Sequence, residues 1–144
     1  MSHYFETSPS AESHRITVSV LLPGDAFDYT TDSGVFSHGR LDAGTKILLS
    51  DAPPPPGSGT FLDLGCGAGP IALSLARRSP DARVWAVDVN ERARSLTADN
   101  ARQLGLANVR VAAVGVGSVE AARLFSRLTN FPLELLHADP DAAC

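Results

Sequence analysis

The sequence predicts an α/β fold: an open, mostly parallel, Rossmann-like sheet with an N-terminal β-hairpin extension. Three observations carry that prediction. A short apolar run, Thr60-Phe61-Leu62-Asp63-Leu64, meets a glycine turn, Gly65-Cys66-Gly67-Ala68-Gly69, and a helix opens near Pro70. A second apolar run, Val84-Trp85-Ala86-Val87, ends in Asp88; continuous runs of this length suit strands buried in a parallel sheet. A third strand begins at Asn108-Val109-Arg110-Val111, after a further stretch of helical spacing. The order β-α-β-α-β implies a parallel sheet with helices on both faces, whose ligands bind beyond the carboxyl ends of the strands.

Residues 1–14 are polar and expected to be loose at the start. Arg15 to Val20 alternates as a strand does, Pro23-Gly24-Asp25 is a turn, and Ala26 to Thr30 can return as the second strand of a hairpin. Thr31-Asp32-Ser33-Gly34 turns again. Residues 34–45 mix glycine, aromatic and polar side chains, which suits both a loop over a ligand and a plain connection. A short helix follows, with Ile47, Leu48 and Leu49 expected to supply apolar contacts. Four consecutive prolines between Asp51 and Gly59 make a stiff connector that is neither helix nor central strand.

After the glycine turn, Ile71, Leu75 and Arg78 fall on one helical line, with Ala72 and Ala76 beside it. Arg77 and Arg78 suit the negative end of the helix dipole, and Ser79-Pro80-Asp81 stops the helix. Asn90 can cap the next helix, on which Ala93, Leu96, Asn100 and Leu104 recur, and Gly105 ends it.

The chemistry concentrates at the glycine turn. Glycine permits positive φ and close approach of a ligand to the backbone. The N–H groups of a helix start face the same space, and Pro70 loses nothing there because its missing N–H would have had no partner. A dinucleotide turn reads G-x-G-x-x-G; here the pattern is D-x-G-x-G-x-G and position 70 is proline. A carboxylate at Asp63 would repel a pyrophosphate, whereas it can accept hydrogen bonds from an ammonium. S-adenosylmethionine (SAM) carries an ammonium and a sulfonium and no phosphate. Asp88 lies at the distance expected for an acid that binds ribose hydroxyls. The alternatives are a ligand-free tight turn and a nicotinamide or flavin site.

Composition excludes several classes. A chain of 144 residues can bury one core, and a net charge of −4 leaves no general footprint of nucleic-acid binding. Cys66 and Cys144 form no disulfide framework, and Cys66 reads as a small turn residue rather than a nucleophile. His3, His14, His38 and His137 do not pair at ligand spacing, so no metal is expected. No run suits a signal peptide or a bilayer span, which makes the cytoplasm the expected location and a membrane no expected partner.

From about Gly34 to Val111 the chain resembles the methyltransferase small domain family, and within it the RsmC-type ribosomal RNA guanine-N2 methyltransferases. The resemblance rests on Gly34-Val35-Phe36-Ser37, on Leu41-Asp42-x-Gly44-Thr45, on Leu62 to Ile71, and on Val87-Asp88-Val89-Asn90-Glu91-Arg92-Ala93. The opening His3-Tyr4-Phe5 is similar to single-domain members. It implies a class I SAM-dependent methyltransferase fold, divided here into an extension over residues 1–33 and a partial domain over residues 34–144. By resemblance, Asp63, Gly65, Cys66, Gly67 and Gly69 hold the amino-acid part of SAM, and Asp88 with Val89 the ribose. Phe36 and Thr45 would lie near cofactor and substrate. The implied partner is ribosomal RNA or the small ribosomal subunit, methylated on a guanine amine by in-line displacement at the sulfonium methyl.

The family pattern continues with a fourth strand ending in Asn-Pro-Pro and an aromatic residue. Acceptors there orient the N–H groups of an exocyclic amine, and the ring stacks on an extruded base. This chain has no Asn-Pro-Pro. Leu133 to Asp141 offers Asp139-Pro140, either as a fourth strand ending in the catalytic acceptor or as an unrelated tail. Ala112 to Gly117 offers only backbone where an adenine contact is expected. The sheet thus reads as incomplete at the C-terminus, short by about 60 residues, with a divergence or reading-frame change after about Ala113. Rival functions are a SAM-binding remnant without transfer, a methyltransferase for protein glutamine or a small molecule, and a dinucleotide oxidoreductase.

Overall fold

A computed structural model describes residues 8, 10–35 and 39–113. Two strands come first, β1 (Ile16–Leu22) and β2 (Asp25–Thr31), followed by helix α1 (Ala43–Asp51). Then β3 (Ser58–Leu64), α2 (Pro70–Arg78), β4 (Asp81–Val87), α3 (Glu91–Gln103) and β5 (Val109–Ala112) alternate. β3, β4 and β5 form a parallel sheet in that spatial order. The expected alternation is therefore present, although β3 and β4 each begin two or three residues earlier than the apolar runs suggested.

Strand register sorts the sheet into two faces. Phe61 pairs with Val84 and Asp63 with Ala86, while Val84 and Ala86 pair with Val109 and Val111. Paired residues share a face. Phe61, Val84, Ala86, Val109 and Val111 pack with Cys66, Ala72 and Ala76 in one core. Right-handed crossovers that step in one direction place α2 and α3 on that same face, so among the described residues the two crossover helices do not divide between faces. The opposite face carries Leu62, Trp85 and Arg110 in register, with Leu64 67% exposed.

The third layer is the hairpin. β1 and β2 pair antiparallel about Pro23-Gly24, with Leu22 opposite Asp25. Gly24 has φ 77°, the conformation a Pro-Gly turn requires at its second central residue. The inward side chains Val18, Val20, Leu22, Phe27 and Tyr29 pack against Leu73 of α2 and Leu96 and Ala101 of α3 in a second core. The hairpin lies on the helices rather than on the sheet edge. Arg77 forms a bidentate pair with Asp25, Nη2 donating to Oδ1 at 2.7 Å and Nε to Oδ2 at 3.2 Å, and stacks over Phe27 at 5.1 Å from the ring centroid.

Several expectations are corrected by this packing. In α1 only Leu49 is buried; Ile47 and Leu48 are 61% and 51% exposed, because the helix contributes one narrow stripe to the hairpin core. In α2 the fully buried residues are Ala72, Leu73, Ser74 and Ala76, while Ile71 and Leu75 lie at the margins. The helix is sandwiched between sheet and hairpin and buries two sides. Residues 13 and 14 are anchored: Ser13 Oγ and the His14 N–H donate to Asp32 at 2.6 and 2.5 Å. Burial alone would raise the Asp32 pKa, but these bonds, the Ser33 N–H and the charge of Arg92 outweigh it and hold the carboxyl below its usual range.

The layers are joined by polar groups on α3. The Asn100 amide accepts from the Thr30 N–H at 2.8 Å and donates to the Thr30 and Ala68 carbonyls at 2.8 and 2.9 Å. Asn100 is 1% exposed, so its removal would strand three backbone groups. Asn100→Ala is expected to destabilise the protein by about 3 kcal/mol, read as a lowered midpoint in urea unfolding.

Candidate functional site: the glycine turn

β3 delivers Asp63 to the carboxyl end of the sheet, and the turn after Leu64 crosses to the end of β4. The Gly65 and Cys66 N–H groups both donate to the Val87 carbonyl, at 2.7 and 3.0 Å. Gly65, Gly67 and Gly69 have φ of 77°, 58° and 98°, the left-handed conformations that other residues resist. Gly69 also sits under α3: a Cβ there would lie 2.8 Å from Thr97 Oγ1. Thr97 in turn donates to the Gly67 carbonyl at 2.9 Å. The turn is thus held at Gly67 and Ala68 by Thr97 and Asn100 of the same helix.

Of the predicted residues that are described, Thr45, Asp63, Gly65, Cys66 and Gly67 line one cavity, whereas Gly69, Asp88 and Val89 are not part of its lining. Asp63 is 7% exposed, and its Oδ2 accepts the Ala72 N–H at 3.0 Å, which ties the strand end to the start of α2. Burial pushes its pKa up to about 6; the Ala72 bond opposes the rise, and the charge of Asp88 adds to it. Asp88 accepts the Gly67 N–H at 2.9 Å through one oxygen and the Asn90 N–H at 2.9 Å through the other. The Val89 carbonyl accepts from Arg94 at 2.9 Å. The Thr45 N–H donates to Asp42 Oδ2 at 3.1 Å, so Asp42 caps α1. Burial pushes the Cys66 thiol up to about 12, which leaves it protonated at neutral pH and no nucleophile. Phe36, Asp139 and Pro140 lie outside the described residues, as do His3-Tyr4-Phe5.

Asp42, Thr45, Asp63 and the turn backbone line a cavity of ≈ 80 Å³, together with Tyr29 of β2. Among the described residues its lining includes two carboxylates and no lysine or arginine. That donor set fits a cationic headgroup such as an amino-acid ammonium, and it disfavours a pyrophosphate. The volume matches a headgroup rather than a whole nucleoside. Sequence reasoning missed Tyr29, although its place on the inward alternation of β2 with Phe27 and Thr31 was a readable signal. It also assigned Asp42 no role of its own, although an Asp three residues before Thr45 has the spacing of an N-cap.

The model of the methyltransferase small domain matches residues 26–138. The chain belongs to the methyltransferase small domain family. The match runs past Ala113, where the sequence suggested a break from the family pattern. Among similar proteins, the uncharacterized protein YbxB of Bacillus subtilis is 42% identical over 133 residues, 91% of this chain and 66% of that protein. A ribosomal RNA small subunit methyltransferase C of Pseudomonas putida is 54% identical over 57 residues, 40% of this chain and 17% of that protein. The solved structure of Thermus thermophilus RsmC, a 16S rRNA methyltransferase in complex with AdoMet and guanosine, aligns with a TM-score of 0.58 at 26% identity. That alignment covers 74% of this chain and 29% of the other. The chain therefore spans just under two thirds of one such small domain relative and about a sixth of another.

The raised Asp63 pKa has a stability consequence. Between about pH 4 and 6 the folded carboxyl holds its proton and the unfolded one has lost it, so stability falls as pH rises through that window. Above it the charged group costs on the order of 3 kcal/mol at most. Asp63→Asn keeps an acceptor for Ala72 and removes the charge. It is expected to raise the ligand-free stability at pH 7.5 by about 1–2 kcal/mol and to flatten the fall between pH 4 and 6, measured by urea unfolding across pH.

Proposed function

We propose that this chain is a SAM-dependent methyltransferase acting on a guanine N2 amine of small-subunit ribosomal RNA, in the cytoplasm. The observation that carries the reading is the cavity at the glycine turn of a methyltransferase small domain, whose described lining carries the carboxylates of Asp42 and Asp63. In this reading Asp63 receives the ammonium of SAM, with the backbone of Gly65, Cys66, Gly67 and Gly69 against the amino-acid end. Asp88 and Val89 face the ribose, and Phe36 and Thr45 the methyl-transfer region. Bound there, SAM supplies an electrophilic methyl on its sulfonium. The protein's part is to hold that group in line with the acceptor nitrogen and away from water. Asp139-Pro140 would orient the acceptor amine. The RNA substrate is supported by the likeness to ribosomal RNA small subunit methyltransferase C over its matching segment.

A second reading is favoured by one feature of the sequence: it contains no Asn-Pro-Pro. A chain that binds SAM without transferring its methyl would fit that departure. Calorimetry with SAM, followed by methyl transfer from labelled SAM to naked 16S RNA and to small subunits, separates the two. Binding with transfer is expected; binding alone would select the second reading, and no binding would end both.

Two further outcomes follow from the site. SAM affinity is expected to weaken by up to tenfold per pH unit below about pH 6, as Asp63 takes up a proton and loses its attraction for the ammonium. Asp88→Ala is expected to weaken SAM at least tenfold, since it frees the Gly67 N–H as well as removing the proposed ribose acceptor. Titration calorimetry between pH 5 and 8 measures both.

A further inference from the structure

Tyr29 is the part of the cavity that the proposed function leaves unused. It comes from the hairpin, is 3% exposed, and lines the same cavity as Asp63 and Thr45. Burial alone pushes its pKa up to about 12, with no hydrogen bond or charge contributing. Its hydroxyl therefore keeps its proton and is available to a ligand as a neutral donor.

The chemistry of the cavity gives that donor a task. An amino-acid headgroup carries a carboxylate as well as an ammonium. Among the described residues, the cavity's charged side chains are Asp42 and Asp63; both are acidic and can serve only the ammonium. A carboxylate entering beside them needs uncharged donors. The Thr45 hydroxyl already lies 3.4 Å from Asp42 Oδ2, which leaves the Tyr29 hydroxyl as the uncommitted hydroxyl donor among the described residues of the lining. Its position is fixed: the neighbouring Thr30 is hydrogen-bonded through both backbone groups to Asn100, which also holds Ala68 of the turn. The hairpin and the glycine turn thus share one rigid support.

We propose that Tyr29 is a further cofactor-binding residue, its hydroxyl donating to the α-carboxylate of the SAM amino-acid end. This rests on the SAM reading above. It makes the β1–β2 hairpin part of the cofactor site rather than an appendage to it.

Calorimetry with SAM and with decarboxylated SAM, on the wild-type chain and on Tyr29→Phe, tests it. The variant is expected to lose about tenfold in affinity for SAM and less than twofold for decarboxylated SAM. Unchanged SAM affinity would overturn the proposal, as would an equal loss for both ligands, which marks a packing defect. Wild-type chain that binds no SAM overturns the cofactor reading and this proposal with it, whereas wild-type binding with an indifferent variant overturns this proposal alone. If Tyr29→Phe does not fold, fluorine NMR of 3-fluorotyrosine-labelled wild-type protein decides. The chain has two tyrosines, and Tyr4→Phe assigns the Tyr29 resonance. A shift of that resonance with SAM and not with decarboxylated SAM supports the proposal; a resonance that SAM leaves unmoved overturns it.

Discussion

Everything at the proposed site depends on one side chain that touches no ligand position, the amide of Asn100. A glycine-rich turn has little conformational preference of its own, because residues without a Cβ can adopt many backbone conformations. Its shape must be imposed from outside. Asn100 and Thr97 do so by binding the carbonyls of Ala68 and Gly67, one helical turn apart on α3. The N–H side of the turn is fixed separately, by the Val87 carbonyl and the Asp88 carboxylate. With carbonyls turned toward α3 and N–H groups toward the sheet end, the turn has one conformation in which the two acids and the cavity stand together.

Asp63 shows the opposite economy. A carboxylate this deeply buried is unfavourable for the ligand-free fold, and one backbone bond from Ala72 does not fully offset the lost hydration. A site that must attract a cation needs such a group: partial desolvation strengthens its attraction for an ammonium relative to water. Asp32 is a useful contrast. It is equally buried but meets Ser13, His14, Ser33 and Arg92, and its carboxyl is held low. One acid is satisfied by the protein and organises the chain before β1; the other keeps bonding capacity in reserve.

What the sequence made legible was local. The alternation of β1 and β2, the Pro-Gly turn, the apolar runs of β3 and β4 and the glycine turn all follow from neighbouring residues, and each is present. Asp63 and Asp88 were legible because their distances from the glycines are fixed by strand geometry. The rest depends on contacts distant in sequence. Nothing local to Asn100 reveals that it meets Thr30, 70 positions earlier. Helical spacing set Ile71, Leu75 and Arg78 of α2 on one line, but spacing alone does not show that a helix has layers on two sides, which is why Leu73 and Ser74 are fully buried. Ile47 and Leu48 failed for the reverse reason: apolar character alone does not say how much of a helix is covered.

The docking of the hairpin on α3 also bears on synthesis. β1 and β2 leave the ribosome before the helices they dock on, and an isolated hairpin is marginal in water. Val18, Val20, Phe27 and Tyr29 find the last of their partners when Leu96 and Ala101 have been made. At ordinary translation rates those side chains wait for roughly 4–14 s. The nascent chain thus carries a partly covered apolar strip until α3 has been made, and its maturation is set by the clock of elongation rather than by local structure.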